Sequence, residues 1–79
     1  MFSFDLAKLS REELQQVIER RCSDFGTVKS VTIIMDGDAR GFALAAIEMS
    51  SEAEMFEVLR NFGDHRVDTM AVIKIEQAR

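Results

Sequence analysis

Apolar residues recur along this chain in two periods. At Phe2, Phe4 and Leu6 they alternate with Ser3 and Asp5, which predicts a first strand over 2–6. From Ser10 the spacing becomes helical, and Leu14, Val17, Ile18, Cys22 and Phe25 make one stripe. Ser10 and Glu13 form a capping-box pair, each side chain able to satisfy the other's free backbone N–H. Gly26 then reads as a left-handed cap that stops the helix. Val31 and Ile33 point inward from a second strand, with Ile34 on its other face, and Asp36-Gly37 signals a tight hairpin. The run from Arg40 to Met49 alternates again. One face carries Arg40, Phe42, Leu44 and Ala46; the other carries Gly41, Ala43, Ala45 and Ile47. A strand apolar on both faces is central, or has an open face that receives a partner. Ser51 and Glu54 repeat the capping-box pattern ahead of a stripe of Met55, Val58, Leu59 and Phe62, which Gly63 ends. Asp64 to Asp68 reads as a polar connection. Met70 to Ile75 is the last strand, with Ala71, Ile73 and Ile75 inward and Lys74 on the open face.

The element order is strand, helix, strand, strand, helix, strand. It predicts one α+β domain over 1–79: a ferredoxin-like split βαβ (βαββαβ) with a four-stranded antiparallel sheet and both helices on one face. The other sheet face is left bare.

Composition narrows the function. With 79 residues there is room for one modest core, and 47% hydrophobic residues suffice to build it. No basic region followed by an apolar stretch opens the chain and no run is long enough to span a bilayer, so a cytoplasmic protein with no membrane partner is expected. Cys22 is the single cysteine, which rules out an internal disulfide and a cysteine-based zinc site. It lies on the apolar stripe with no basic neighbour there, so it reads as a packing thiol. The lone His65 has no nucleophile or second histidine in a recognisable pattern. With no phosphate loop and no metal cluster in the sequence, neither an enzyme nor a cofactor is expected. The net charge of −4 has the wrong sign for generic nucleic-acid coating and leaves room only for a local contact.

Arg40-Gly41-Phe42-Ala43-Leu44-Ala45-Ala46-Ile47 resembles the octamer of RNA-recognition-motif domains: basic, Gly, aromatic, Gly or Ala, aromatic, aliphatic, any, aromatic. Arg40, Gly41, Phe42, Ala43 and Ala45 fit; Leu44 and Ile47 stand where the family has aromatics. Phe25-Gly26-Thr27-Val28-Lys29-Ser30-Val31-Thr32-Ile33 matches that family's helix-to-strand junction at each specified position. Met1 to Leu6 fits its hexamer loosely, with Phe2 at the stacking position and Asp5 in place of Asn. The resemblance implies single-stranded RNA as partner. It implies that Phe42 stacks a base and Arg40 meets a phosphate, with apolar contact from Leu44. Lys74 is a further candidate contact on the same face. In the hexamer register Phe2 and Phe4 also face the RNA; in the register that hydrophobicity prefers they face the core. The alternative function is a protein-interaction or homodimerisation module, with Phe42, Leu44, Ala46, Ile34 and Val72 as one apolar patch. A third reading, a small-ligand regulatory domain, rests on the layout alone.

Overall fold

A computed structural model describes residues 2–35 and 41–78. In chain order the elements are β1 (Phe2–Phe4), α1 (Arg11–Cys22), β2 (Val28–Met35), β3 (Phe42–Met49), α2 (Glu52–Phe62), β4 (Gly63–Val67) and β5 (Met70–Gln77). Single 3-10 turns at Leu6–Lys8 and Ser23–Phe25 extend the connections on either side of α1. The Asp36-Gly37 turn and Arg40 lie outside the described residues.

The fold is α+β, with two helices on an open sheet, and is compatible with a ferredoxin-like layout. Strand count and order differ from expectation. The sheet has five strands in the order β1-β5-β3-β2, with β4 also paired to β5. It is mixed, because β1 runs parallel to β5 while β2–β3, β3–β5 and β4–β5 are antiparallel. Two interleaved βαβ units would seat the first strand against the octamer strand; β5 sits there instead. The reason is visible in the residues. An inner strand needs length and apolar side chains, and Met70 to Ile75 supplies both. β1 has three residues before the chain turns at Asp5, so it serves only as an edge.

β4 falls in the stretch read as a polar connection. It pairs with β5 through His65↔Val72, Arg66↔Ala71 and Val67↔Met70. The two-residue turn between them contains Asp68 at φ +56, a conformation that Asp tolerates better than most residues. One edge of β5 is thus shared, β4 taking its first half and β1 its second.

The core is a single cluster between the sheet and both helices. Leu14, Ile18 and Cys22 of α1 and Met55 and Val58 of α2 meet Ile33, Ile47, Ile73 and Ile75 of the sheet. Each fully buried large aliphatic side chain contributes about 1.5–3 kcal/mol. Ala43 and Ala45 are fully buried on β3's helix-facing side, where larger side chains would push the helices away. Phe25 and Phe62 meet edge to face at a centroid distance of 5.4 Å, joining the ends of the two helical segments.

The caps differ from one another. At α1 the expected box is complete: Glu13 N–H donates to Ser10 Oγ, and Ser10 N–H donates to Glu13 Oε1. These bonds hold the Glu13 carboxyl below its ordinary pKa. At α2 only half of the box forms. Glu54 N–H donates to Ser51 Oγ, but the Glu54 carboxylate accepts from Ser50 Oγ and Thr27 N–H. It therefore ties α2 to the start of β2 instead of closing its own cap. This carboxylate lies against Gly26, whose φ of +148 and ψ of −161 fall in a region that glycine adopts freely and other residues rarely, away from the left-handed helical values of a cap. α1 itself ends earlier, at Cys22.

Candidate nucleic-acid interface

β3 and β5 form the middle of the sheet and fix which side chains share its open face. Alternation puts Ala43, Ala45, Ile47 and Met49 in the core, so Phe42, Leu44, Ala46 and Glu48 face away from the helices. The β3–β5 register sets Glu76 opposite Phe42, Lys74 opposite Leu44, and Val72 opposite Ala46. Ser3 of β1 lies opposite Glu76 on the other side. The upper end of the face is thus a row of Phe42, Glu76 and Ser3, with Leu44 and Lys74 in the row beneath.

Three of the proposed site residues come together here. Phe42 and Leu44 are half-buried, and Lys74 Nζ lies 4.8 Å from the Phe42 ring centroid. That is a cation–π contact, worth about 0.5–1 kcal/mol at an exposed site. Lys74 also pairs with Glu76 at 3.8 Å, with both side chains close to half exposed. The ammonium therefore shields the ring and has its own charge partly balanced. Gly41, Phe42, Lys74, Glu76 and Gln77 line a hollow of about 370 Å³ at this end of the sheet.

Of the other three site residues, only Phe4 has a side chain within the described structure. Arg40 lies outside the described residues. Phe2 pairs with Ile75 through its backbone, and its side chain is likewise outside the description. Phe4 corrects the hexamer register: it packs against the core cluster, with the Arg21 guanidinium 5.9 Å from its ring centroid. Its partner in the ladder is Gln77, and Glu76 next to it faces the open side, so alternation turns Phe4 inward. Burial of an aromatic ring against apolar residues outweighs its display to water.

Elsewhere the face is sparing in charge and mixed in polarity. Ala46 and Val72 are only 4% exposed and form a closed apolar centre. Ile34, beside a register shift in β2, and Val67 of β4 are 53% and 46% exposed. Glu48 lies at the far end of the face. Glu76 is the residue that pattern reading passed over; its signal was its place two positions beyond Lys74 on the open side of a strand longer than expected.

Among the described residues there is no group of three or more His, Cys, Asp or Glu side chains that could hold a metal, and no helix is long and apolar enough to cross a membrane. No family model matches the chain, and searches of curated proteins and of solved structures find no match.

Proposed function

We propose that the open sheet face binds single-stranded RNA, weakly, through Phe42, Leu44 and Lys74. The observation that supports this most directly is a half-buried aromatic ring with the partly exposed Lys74 ammonium 4.8 Å away, on the sheet face that neither helix covers. A base stacks on Phe42 while Lys74 turns from the ring to a phosphate. Stacking contributes about 1–3 kcal/mol per base, which exceeds the roughly 0.5–1 kcal/mol of the exposed cation–π contact it replaces. The octamer resemblance supports the same assignment and adds Arg40 as a second phosphate contact. With one aromatic and few cations, affinity is low and its salt dependence shallow, corresponding to about two or three phosphates.

A second reading is an interface with protein, including a second copy of this chain. It is favoured by exposed Ile34 and Val67 and by the Glu76 carboxylate that balances Lys74. One pair of variants separates the two. Phe42→Ala is expected to keep the fold and lose about 1–3 kcal/mol of RNA binding. Leu44→Phe adds a second ring to the face, and RNA affinity is expected to rise on the same scale. At a fitted protein interface the larger ring instead weakens association by about 1–3 kcal/mol. RNA titration and sedimentation of both variants give the answer; RNA affinity indifferent to both changes would overturn the RNA assignment.

A further inference from the structure

We propose that Glu76 reads the edge of the base stacked on Phe42, and that the base it selects is guanine. This rests on the RNA reading above. Glu76 stands directly opposite Phe42 in the β3–β5 ladder, on the same open face. Opposite residues in a ladder have Cβ atoms about 4.5–5.5 Å apart, so a base lying on the ring brings its edge toward the carboxylate. Among the side chains lining that hollow, Glu76 is the one that is an acceptor only.

The Glu76 backbone is held on both flanks. Gln77 N–H donates to Gly41 O at 2.9 Å, and Ala78 N–H donates to Phe4 O at 2.8 Å. The Glu76 side chain is 46% exposed, and its carboxylate is paired with Lys74 at 3.8 Å. When Lys74 moves to a phosphate, Glu76 loses its partner and regains its accepting capacity. An ionised carboxylate accepts through both oxygens and donates nothing. Guanine alone presents two adjacent donors, N1–H and the N2 amino group, on its Watson–Crick edge. Adenine and cytosine set one amino donor beside an acceptor nitrogen, and uracil sets one N–H between two carbonyls. A carboxylate here meets a lone pair on each of those three. An acid that would otherwise only repel phosphates thus has a recognition role.

The test uses the full chain and an eight-nucleotide oligouridine carrying one central G, A, C or hypoxanthine, followed by fluorescence anisotropy. The G oligomer is expected to bind about tenfold more tightly than the A or C oligomers, the scale of one good bidentate contact. Hypoxanthine, which keeps N1–H and lacks the amino group, is expected to fall between. Glu76→Gln should bring the ratio of G to A close to one, while all-uridine binding stays constant or tightens because a negative charge is gone. A parent protein with no preference for G, or a Glu76→Gln variant that keeps it, overturns the assignment. Should the parent bind none of the oligomers, the RNA reading itself fails, and this inference with it. Circular dichroism of the variant confirms that the exposed substitution leaves the fold intact.

Discussion

Replacing Gly26 with alanine tests how the two helices are joined. Gly26 has φ +148 and ψ −161, a region that residues with a Cβ adopt at a cost of about 1–3 kcal/mol. A Cβ there would also fall on the Cγ, Cδ and Oε1 atoms of Glu54. That side chain can move, but moving it breaks the Thr27 N–H bond at 3.1 Å and the Ser50 Oγ bond at 2.6 Å. Both bonds are exposed, so about 0.5–1 kcal/mol each is appropriate. The sum is about 2–5 kcal/mol, a large part of the ~4–12 kcal/mol that a chain of this length has in total. Urea denaturation followed by circular dichroism measures it: with a slope near ~1 kcal/mol/M, the midpoint falls by about 2 M or more. Gly41→Ala is the control, because Gly41 has φ +78 but no atom within 4 Å of the added Cβ. It should cost only about 1–2 kcal/mol of backbone strain. Glu54→Ala combined with Gly26→Ala should cost about 1–2 kcal/mol less than the two separate changes added, since the tie is lost once. A Gly26→Ala variant within about 0.5 kcal/mol of the parent, or no worse than Gly41→Ala, would show that neither the backbone at Gly26 nor the Glu54 tie matters to stability.

Two further outcomes are expected. The carbonyls of Val31 and Ile33 on the outer edge of β2 accept from Gln15 Nε2 at 2.5 Å and Arg11 Nη2 at 3.1 Å. Removing both side chains (Arg11→Ala with Gln15→Ala) should cost about 0.5–1.5 kcal/mol per bond. It should also leave the edge open to strand pairing, so that sedimentation velocity finds association absent from the parent; unchanged sedimentation would show that the edge needs no seal. Burial pushes the Cys22 thiol up to about 11, from an ordinary value of 9.0. The unfolded chain therefore loses this proton first as pH rises. The thiol's contribution to stability is complete below pH 9 and declines by up to about 1.4 kcal/mol per pH unit toward pH 11. Cys22→Ala should lack this component when the two pH profiles are subtracted, and the parent thiol should react with a disulfide reagent at pH 8 only once urea unfolds it.

Local signals in the sequence were sufficient where one element settles its own structure. The Ser10–Glu13 box formed with both bonds because its partners are three residues apart. The helix stripes and the alternation of the octamer strand were likewise set by side chains within one element. Long-range pairing was not legible. β4 has one large apolar residue, Val67, and is a strand because β5 offers it an edge. β1 ends at Phe4 because Gln77, far away in sequence, accepts from Leu6 N–H and donates to Asp5 through its side-chain amide. Glu54 matched a cap motif, yet a neighbouring turn offered its carboxylate better donors. In the candidate site, the parity of Phe42 and Leu44 was readable. The seat of Glu76 was not, since it depends on how far β5 continues and on which strand lies beside it.

The place of β5 also bears on how the chain acquires its structure during synthesis. β5 joins β1, β3 and β4, and it leaves the ribosome only after both helices and four other strands have been made. Until then the nascent chain can close the β2–β3 hairpin, but its sheet lacks an inner strand. The pairing of β1 with β5 joins the two ends of the sequence, so it carries the greatest loop-closure entropy and is favoured to form late. A three-residue strand that docks late is also the easiest to peel away. Ser3, the β1 residue beside Glu76, would lift with it, so the first fluctuation of the native state uncovers one flank of the Phe42 row.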